Sequence, residues 1–298
     1  MTQEMGALIA AIRKIADNIA PNIGGMIEAG TNTTLTGSGS LADPYVINAD
    51  TSGTWFAPTA VIPTRASADD PTYTITFAGV DLTNIISEGF RISWKQNALT
   101  RYGFISQAPT YSAGNTTVTI LTICGDASAN YDVLDTGTYA ISEVKFSAAK
   151  SPLGFPMDTA LWTTEVTSTA NAGQASPTAN AWYNPSISIV VPIGLWDCEY
   201  SAELYGTRST LGQCLVRATL ATANNSETDN DFRTEFFNQA QVASIQEAGG
   251  AVYKRKTQKL TAKTTYYLNI GTSSASITNV LFVGANQKTI IRATCKYL

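Results

Sequence analysis

The chain has 298 residues, of which 44% are hydrophobic and only 14% are charged, and its net charge is −4. The hydrophobic fraction excludes a disordered chain, and the lack of a basic excess argues against a nucleic-acid-binding protein. Histidine is absent, which excludes a Ser-His-Asp or Cys-His nucleophile and removes the commonest metal ligand.

Residues 1–20 predict a short amphipathic α-helix. Apolar side chains recur there at alternating spacings of three and four residues, at Met5, Leu8, Ile12, Ile15 and Ile19. This is the seam of a heptad repeat, and isoleucine at both core positions favours three or four helices over two. Two interpretations stay open: a trimerisation seam, or a helix that packs on its own chain or on a partner.

The same segment argues against a signal peptide, because Arg13, Lys14 and Asp17 interrupt its apolar stretch. The chain contains no run of about 18 apolar residues, so no membrane insertion is expected. We therefore expect the protein to be made and folded in a cytoplasm.

The first half of the chain predicts a linker followed by a β domain. Residues 22–53 are rich in Gly, Thr, Ser and Asn, so 1–53 is interpreted as an N-terminal segment for attachment and trimerisation. In 54–150, Tyr73, Ile75 and Phe77 alternate with threonines, which predicts a half-buried strand. Further strand patterns at 90–95, 102–106, 116–123 and 141–146, separated by turns, predict a collar-like small barrel or sandwich.

The second half predicts a connector and another β domain. Residues 151–186 contain several prolines, which are expected to stiffen the path and block strand pairing. In 187–298 the clearest strand alternates acidic and small polar residues with Trp196, Cys198, Tyr200, Ala202 and Leu204. Repeats of this pattern predict a jelly-roll-like sandwich, while 232–242 fits either a helix or an edge strand.

The predicted fold is therefore mainly β. A short N-terminal α-helix is followed by two antiparallel β domains, first a small barrel or sandwich and then a jelly-roll-like sandwich. The cysteines Cys124, Cys198, Cys214 and Cys295 form no CxxC pair, so we expect buried thiols rather than a zinc site. A disulfide between Cys198 and Cys214 stays open as an alternative.

Two groups of acidic residues are candidate chemical sites. Glu199 and Glu203 share one strand face, but their Cα atoms would be about 13 Å apart. That exceeds the about 5–9.5 Å between glycosidase carboxyl groups, so a solvated or interface-facing surface is the preferred interpretation. The sequence thus predicts neither an enzyme nor a cofactor.

The densest group of oxygen ligands lies in one loop, and its members are Asn224, Asn225, Glu227, Asp229 and Asp231. The loop does not match the EF-hand pattern, although a calcium site stays open as an alternative. We predict an exposed loop for partner contact. Two further surfaces are predicted to be structural: the basic run at 254–259 as a solvated strand face, and Trp182 with Tyr183 as a plug where the connector enters the second domain.

Several segments resemble proteins of tailed-bacteriophage particles. The N-terminal helix followed by TLTGSGSLADPYVI resembles their entry segments. The stretches 89–120 and 141–158 resemble a module recurrent in tail, fibre and baseplate proteins. Three further stretches, 191–204, 259–270 and 290–298, are similar to the trimeric jelly-roll-like domains that cap such fibres.

The resemblance implies a homotrimeric virion protein that acts as a tail fibre, spike or baseplate component in host attachment. Its expected partners are copies of itself, other phage virion proteins and a host-surface glycan or protein. A head fibre, decoration or collar protein without a receptor is the alternative. No functional residue can be transferred from the resemblance, because it lies in strands and turns.

Overall fold

The computed structural model describes residues 33–37, 46–49, 55–69, 71–122, 140–149, 158–210, 212–239 and 246–298. The chain divides into two compact units, Met1–Phe56 and Ala57–Leu298. In the first unit, β1 (Thr33–Thr36) pairs antiparallel with β2 (Val46–Ala49). The predicted helix 1–20, with Met5, Leu8, Ile12, Ile15 and Ile19, lies outside the described residues.

Seven strands of the second unit form one antiparallel sheet. They are β3 (Thr64–Asp69), β4 (Thr72–Ala78), β5 (Arg91–Gln96), β6 (Leu99–Ile105), β7 (Thr110–Ser112), β8 (Asn115–Leu121) and β9 (Ser142–Ser147). Their order is β3-β4-β8-β6-β5-β9, with β7 paired to β8. The alternation predicted for Tyr73, Ile75 and Phe77 is confirmed, because all three side chains are buried. Ala113 and Gly114 both have positive φ, as a tight turn between β7 and β8 requires.

The other strands of this unit form two antiparallel sheets. They are β10 (Thr163–Ser168), β11 (Ala172–Ala175), β12 (Trp182–Tyr183), β13 (Ser188–Val191), β14 (Gly194–Arg208), β15 (Gln213–Ala221), β16 (Thr234–Gln239), β17 (Gln246–Leu260), β18 (Thr264–Gly271), β19 (Ile277–Phe282) and β20 (Thr289–Cys295). The first sheet has the order β10-β20-β14-β19-β11, with β17 paired along the whole of β14. The second has the order β12-β18-β15-β16, with β13 paired to β18.

These two sheets pack face to face and enclose an apolar core, which confirms the predicted sandwich. The core includes Trp196, Cys198, Tyr200, Ala202 and Leu204 of β14, Cys214, Val216, Ala218 and Leu220 of β15, and Leu268 and Ile270 of β18. The Tyr200 hydroxyl crosses between the sheets. It donates to the carbonyl of Phe232 at 2.9 Å and lies 2.7 Å from the Thr234 hydroxyl. A buried polar group is therefore satisfied at the centre of the sandwich.

The structure corrects the expectation for 151–186 and decides between the two alternatives for 232–242. The predicted connector 151–186 contains β10, β11 and β12, so the expectation that its prolines block pairing is wrong for those strands. Pro177 and Pro185 lie in the loops between strands, where a missing backbone N–H removes no ladder bond. The ambiguous segment 232–242 contains β16, which pairs with β15 at the edge of its sheet.

The seven-stranded sheet contacts the sandwich through an aromatic and ionic cluster. The ring of Phe104 lies 4.7 Å from that of Trp162 and 5.8 Å from that of Tyr297. Glu88 accepts hydrogen bonds from the Tyr297 hydroxyl and from Lys259, each at 2.7 Å. Both parts therefore belong to the compact unit 57–298, and the predicted boundaries 54–150, 151–186 and 187–298 stay predictions.

The described cysteines are buried thiols in the sandwich. Cys198 and Cys214 form no disulfide with each other, and Cys295 is also buried. Burial, reinforced by the charge of Asp197, raises the pKa of Cys198 to about 12. Burial likewise raises the pKa of Cys295 to about 12. Cys124 lies outside the described residues.

Candidate functional site

The predicted contact loop 224–231 connects β15 to the segment that leads into β16, and its backbone is anchored on β18. The buried side chain of Asn269 donates to the Ser226 carbonyl at 2.6 Å and accepts from the Asn225 backbone N–H at 3.3 Å. The Asn225 side chain in turn accepts from the backbone N–H of Asn184 at 2.6 Å. Asn225 therefore connects two loops through its hydrogen bonds, and both Asn224 and Asn225 are exposed.

The carboxylates of this loop are neutralised by cations of the same chain. Lys256 of β17 donates to Asp229 at 2.6 Å and to Asp231 at 2.7 Å, while Glu227 lies 3.5 Å from Arg233. Burial alone would raise the pKa of Asp229, but hydrogen bonds from Lys256 and from the Asp231 backbone hold it below its usual value. Among the described residues, no three His, Cys, Asp or Glu side chains are grouped to hold a metal ion.

The outer face of the first sandwich sheet carries a row of alternating charges across four strands. Glu165 of β10 lies opposite Arg292 of β20, which lies opposite Glu199 of β14, which lies opposite Arg255 of β17. Arg292 lies 2.7 Å from Glu165 and 3.2 Å from Glu199. Tyr253 donates to Glu199 at 2.7 Å. Directly opposed unlike charges stabilise a sheet, so this row links four strands.

Asp197, two residues before Glu199 on β14, accepts hydrogen bonds from three donors on the same face of the sheet. It accepts from the Thr257 hydroxyl at 2.5 Å, from Arg255, and from Lys296 at 3.3 Å. Burial alone would raise its pKa, but these hydrogen bonds outweigh burial and hold the pKa of Asp197 below its usual value. The side chain is only 6% exposed, so its negative charge depends on these partners.

The basic run therefore has specific partners, which the sequence interpretation as a solvated strand face missed. Successive side chains of β17 point to opposite faces of the sheet. Arg255 reaches Asp197 on the outer face, and Lys256 reaches the loop carboxylates on the other. Lys259 pairs with Glu88 of the seven-stranded sheet. The sequence shows the basic residues of β17 and the acidic residues elsewhere, but the residues that pair are distant from one another along the chain.

Trp182 and Tyr183 are half-buried in β12, as a plug would be. The guanidinium of Arg217 lies 4.4 Å from the centre of the Trp182 ring, a cation–π contact. The Tyr183 hydroxyl accepts from the Thr178 backbone N–H at 2.7 Å. Both aromatic residues thus contact their own chain.

These features define a mainly antiparallel β protein in which cross-strand ion pairs join the strands of a sandwich. No protein-family model matches the chain, and no curated protein matches it. In the described part of the chain, no helix has the length and apolar character needed to cross a membrane.

Two solved structures show weak similarity. A chain from the structure of infectious bursal disease virus strain Gx has 10% identity and a TM-score of 0.23, with 85% of this chain and 65% of that chain covered. A chain of the VP2 subviral particle of infectious bursal disease virus has 10% identity and a TM-score of 0.21, with 80% and 62% covered. This chain thus spans less than two thirds of the length of either. Similarity at this level does not establish a shared fold.

Proposed function

We propose that this chain is a structural protein of a tailed-bacteriophage particle. It acts as a homotrimeric tail fibre, spike or baseplate protein in host attachment, and it catalyses no reaction. The resemblance of 89–120 and of 191–204 to phage virion modules supports this class. The mainly antiparallel β architecture is compatible with it.

The observation that carries a structural role is the charge row from Glu165 to Arg255. Arg292 contacts both Glu165 and Glu199, so one guanidinium joins the carboxylates of two neighbouring strands, and these groups are engaged by the fold itself. Asp197 and Asp229 are held in the same way by cations of neighbouring elements. The main ionic groups of the sandwich thus hold the fold together.

Trimerisation is assigned to the N-terminal seam of Met5, Leu8, Ile12, Ile15 and Ile19. Light scattering of the full chain should give the mass of three chains at micromolar concentration. Ile12→Asp places a charge in the seam and should yield monomers, whereas Arg13→Asp, at a neighbouring polar position, should leave the trimer intact. A monomeric wild-type protein would contradict the proposal.

Attachment is tested on whole particles and host cells. The purified chain should adsorb to host cells and compete with infection, and antibody labelling in electron micrographs should locate it on the tail. Labelling on the head without adsorption would instead favour a head fibre, decoration or collar protein. Turnover of host polysaccharide by the purified chain would refute both.

A further inference from the structure

The charge row on the first sandwich sheet ends in opposite charges at two sheet edges. The strands that carry it lie in the order β10-β20-β14-β17, and its members are Glu165, Arg292, Glu199 and Arg255 in that order. A carboxylate therefore lies at the β10 edge and a guanidinium at the β17 edge. Each charge inside the row has an opposite charge on both sides, whereas Glu165 and Arg255 have one on a single side.

Both of these edges carry unpaired backbone groups. Among the residues that the structure describes, β10 pairs with β20 alone, and β17 pairs with β14 alone along all of its 15 residues. The charged side chains at the edges reach solvent, since Glu165 is 37% and Arg255 is 53% exposed. A long unpaired edge is a template for a further strand.

The second sandwich sheet approaches one end of β17. The Phe236 ring of β16 lies so close to Gly250 that a Cβ atom there would be 2.3 Å from the ring. The part of β17 that carries the end of the charge row, 252–257, follows this contact. Its outward side chains, Tyr253, Arg255 and Thr257, are exposed. We therefore consider this part of the edge as the contact surface.

The strand directions also suit the two edges to each other. Every pair in the row is antiparallel, so β10 and β14 run in one direction while β20 and β17 run in the other. A second copy placed edge to edge, with the same face outward, would bring its β10 antiparallel to β17. With Glu165 opposite Arg255, residues 163–168 would lie beside 252–257, and Thr167 would lie opposite Tyr253.

Pairing between two like edges is disfavoured by charge. Two β17 edges would bring together two copies of the run Lys254, Arg255 and Lys256, and two β10 edges would bring together two copies of Glu165. Like charges directly opposite each other destabilise a sheet, whereas unlike charges stabilise it. The charges thus favour β10 against β17 over either symmetric arrangement.

We propose that copies of this chain associate head to tail, with the β10 edge of one copy against the β17 edge of the next. The alternation of charge then continues across the contact. An interface between two different surfaces closes into a ring when the rotation between copies matches. The assignment rests on the proposed homotrimer and names the surface by which its three chains meet. Six paired residues bury too little surface to hold the chains alone, so the contact adds to the N-terminal seam.

Engineered cysteines test the contact directly. Within one chain, Thr167 and Tyr253 lie in line across β20 and β14, opposite Ile290 and Ser201. Three strand spacings of about 4.8 Å separate them by about 14 Å, which no disulfide can bridge. The double variant Thr167→Cys/Tyr253→Cys of the full chain should therefore form disulfides between copies and give a covalent band of three chains after mild oxidation. Each single variant, which keeps the native cysteines, should run as one chain on a non-reducing gel.

Removal of one charge tests the ionic part of the contact. Glu165→Gln should weaken association about two- to fivefold in sedimentation velocity, as expected for one exposed ion pair, and the difference should shrink at high salt. Glu143→Gln is the matched control. Glu143 also accepts from a lysine, Lys95, at 2.8 Å, but it lies in the seven-stranded sheet, so association should not change.

Three results would overturn the contact. They are single-cysteine variants that cross-link as well as the double variant, a double variant that stays unlinked while the wild type is trimeric, and a ladder that extends beyond three chains, as an open filament would give. The second result leaves the proposed homotrimer intact and removes only this surface. A monomeric wild-type chain refutes the homotrimer as well.

Discussion

Replacement of Asp197 by Asn is the sharpest test of the claim that ionic groups hold this sandwich together. The substitution keeps the size of the side chain and an oxygen that can still accept from Thr257. It removes the negative charge that Arg255 and Lys296 contact. The change therefore isolates charge from shape.

The expected loss is about 2 kcal/mol of unfolding free energy. The Asp197 side chain is 6% exposed and accepts from Thr257 at 2.5 Å. Hydrogen bonds to charged groups contribute about 1.5–3 kcal/mol, and a neutral amide recovers only part of that. Arg255 and Lys296 are 53% and 42% exposed, so solvent screens their attraction and their share of the total is small.

The dependence on pH gives a second, independent signature. The pKa of Asp197 is held below its value of about 3.9 in an unfolded chain. A depressed pKa stabilises the fold above about pH 4, and this stabilisation is lost as pH falls through the folded-state pKa. The difference between wild type and Asp197→Asn should therefore be largest near neutrality and shrink below about pH 4, where wild type becomes protonated too.

Urea unfolding followed by tryptophan fluorescence measures both quantities, at one protein concentration because association adds stability. Asp69→Asn is the matched control. Asp69 pairs with Lys263 at 2.6 Å, but the two side chains are 53% and 33% exposed, so the loss should stay under about 0.5 kcal/mol. Equal effects of the two substitutions, or an Asp197→Asn difference that persists in acid, would refute the reasoning.

Three further outcomes follow from the same contacts. Tyr200→Phe should cost about 1–2 kcal/mol in urea unfolding, because buried partners of the hydroxyl lose their bond, and a loss near zero would contradict its role. Cys198 and Cys295 should resist iodoacetamide at pH 8 until urea unfolds the chain, as peptide mapping would show, because burial raises the pKa of each to about 12. Lys256→Met should speed proteolysis within 224–231, since the loop loses its cation; an unchanged rate would show that the backbone anchors suffice.

The strands of the sandwich could be predicted because their signal is local. Trp196, Tyr200 and Leu204 alternate with polar residues, and that period alone identifies the buried face of β14. The prolines at 177 and 185 made 151–186 look like a connector without strands. A proline marks the end of a strand, but it does not exclude strands before and after it. A short strand such as β12 forms because it pairs with a strand that is distant in sequence, here β18. The composition of the short segment alone does not predict this pairing.

The partners of the charged residues could not be predicted, because strand register is not local. Glu165 and Arg292 are 127 positions apart, and a shift of one residue would place them on opposite faces of the sheet. The sequence around Asn269 carries a weaker signal. Asn269 is a fully buried carboxamide between Leu268 and Ile270, and a buried polar group inside an apolar strand requires hydrogen-bond partners. Those partners proved to be the backbone of the loop 224–231.

The acidic face of β14 shows why residue type alone does not assign a role. Glu199 and Glu203 look equivalent in the sequence, since they lie on the same side of one strand. The neighbouring strands treat them differently: Arg292 and Arg255 flank Glu199, whereas Ala251 lies opposite Glu203. A carboxylate that lies opposite cations joins its strand to the neighbouring strands, while one that lies opposite alanine does not. If Ala251→Arg supplied the missing cation, Glu203 should join the ion pairs of the sheet, and urea unfolding should show a gain of under about 1 kcal/mol that Ala251→Gln does not give.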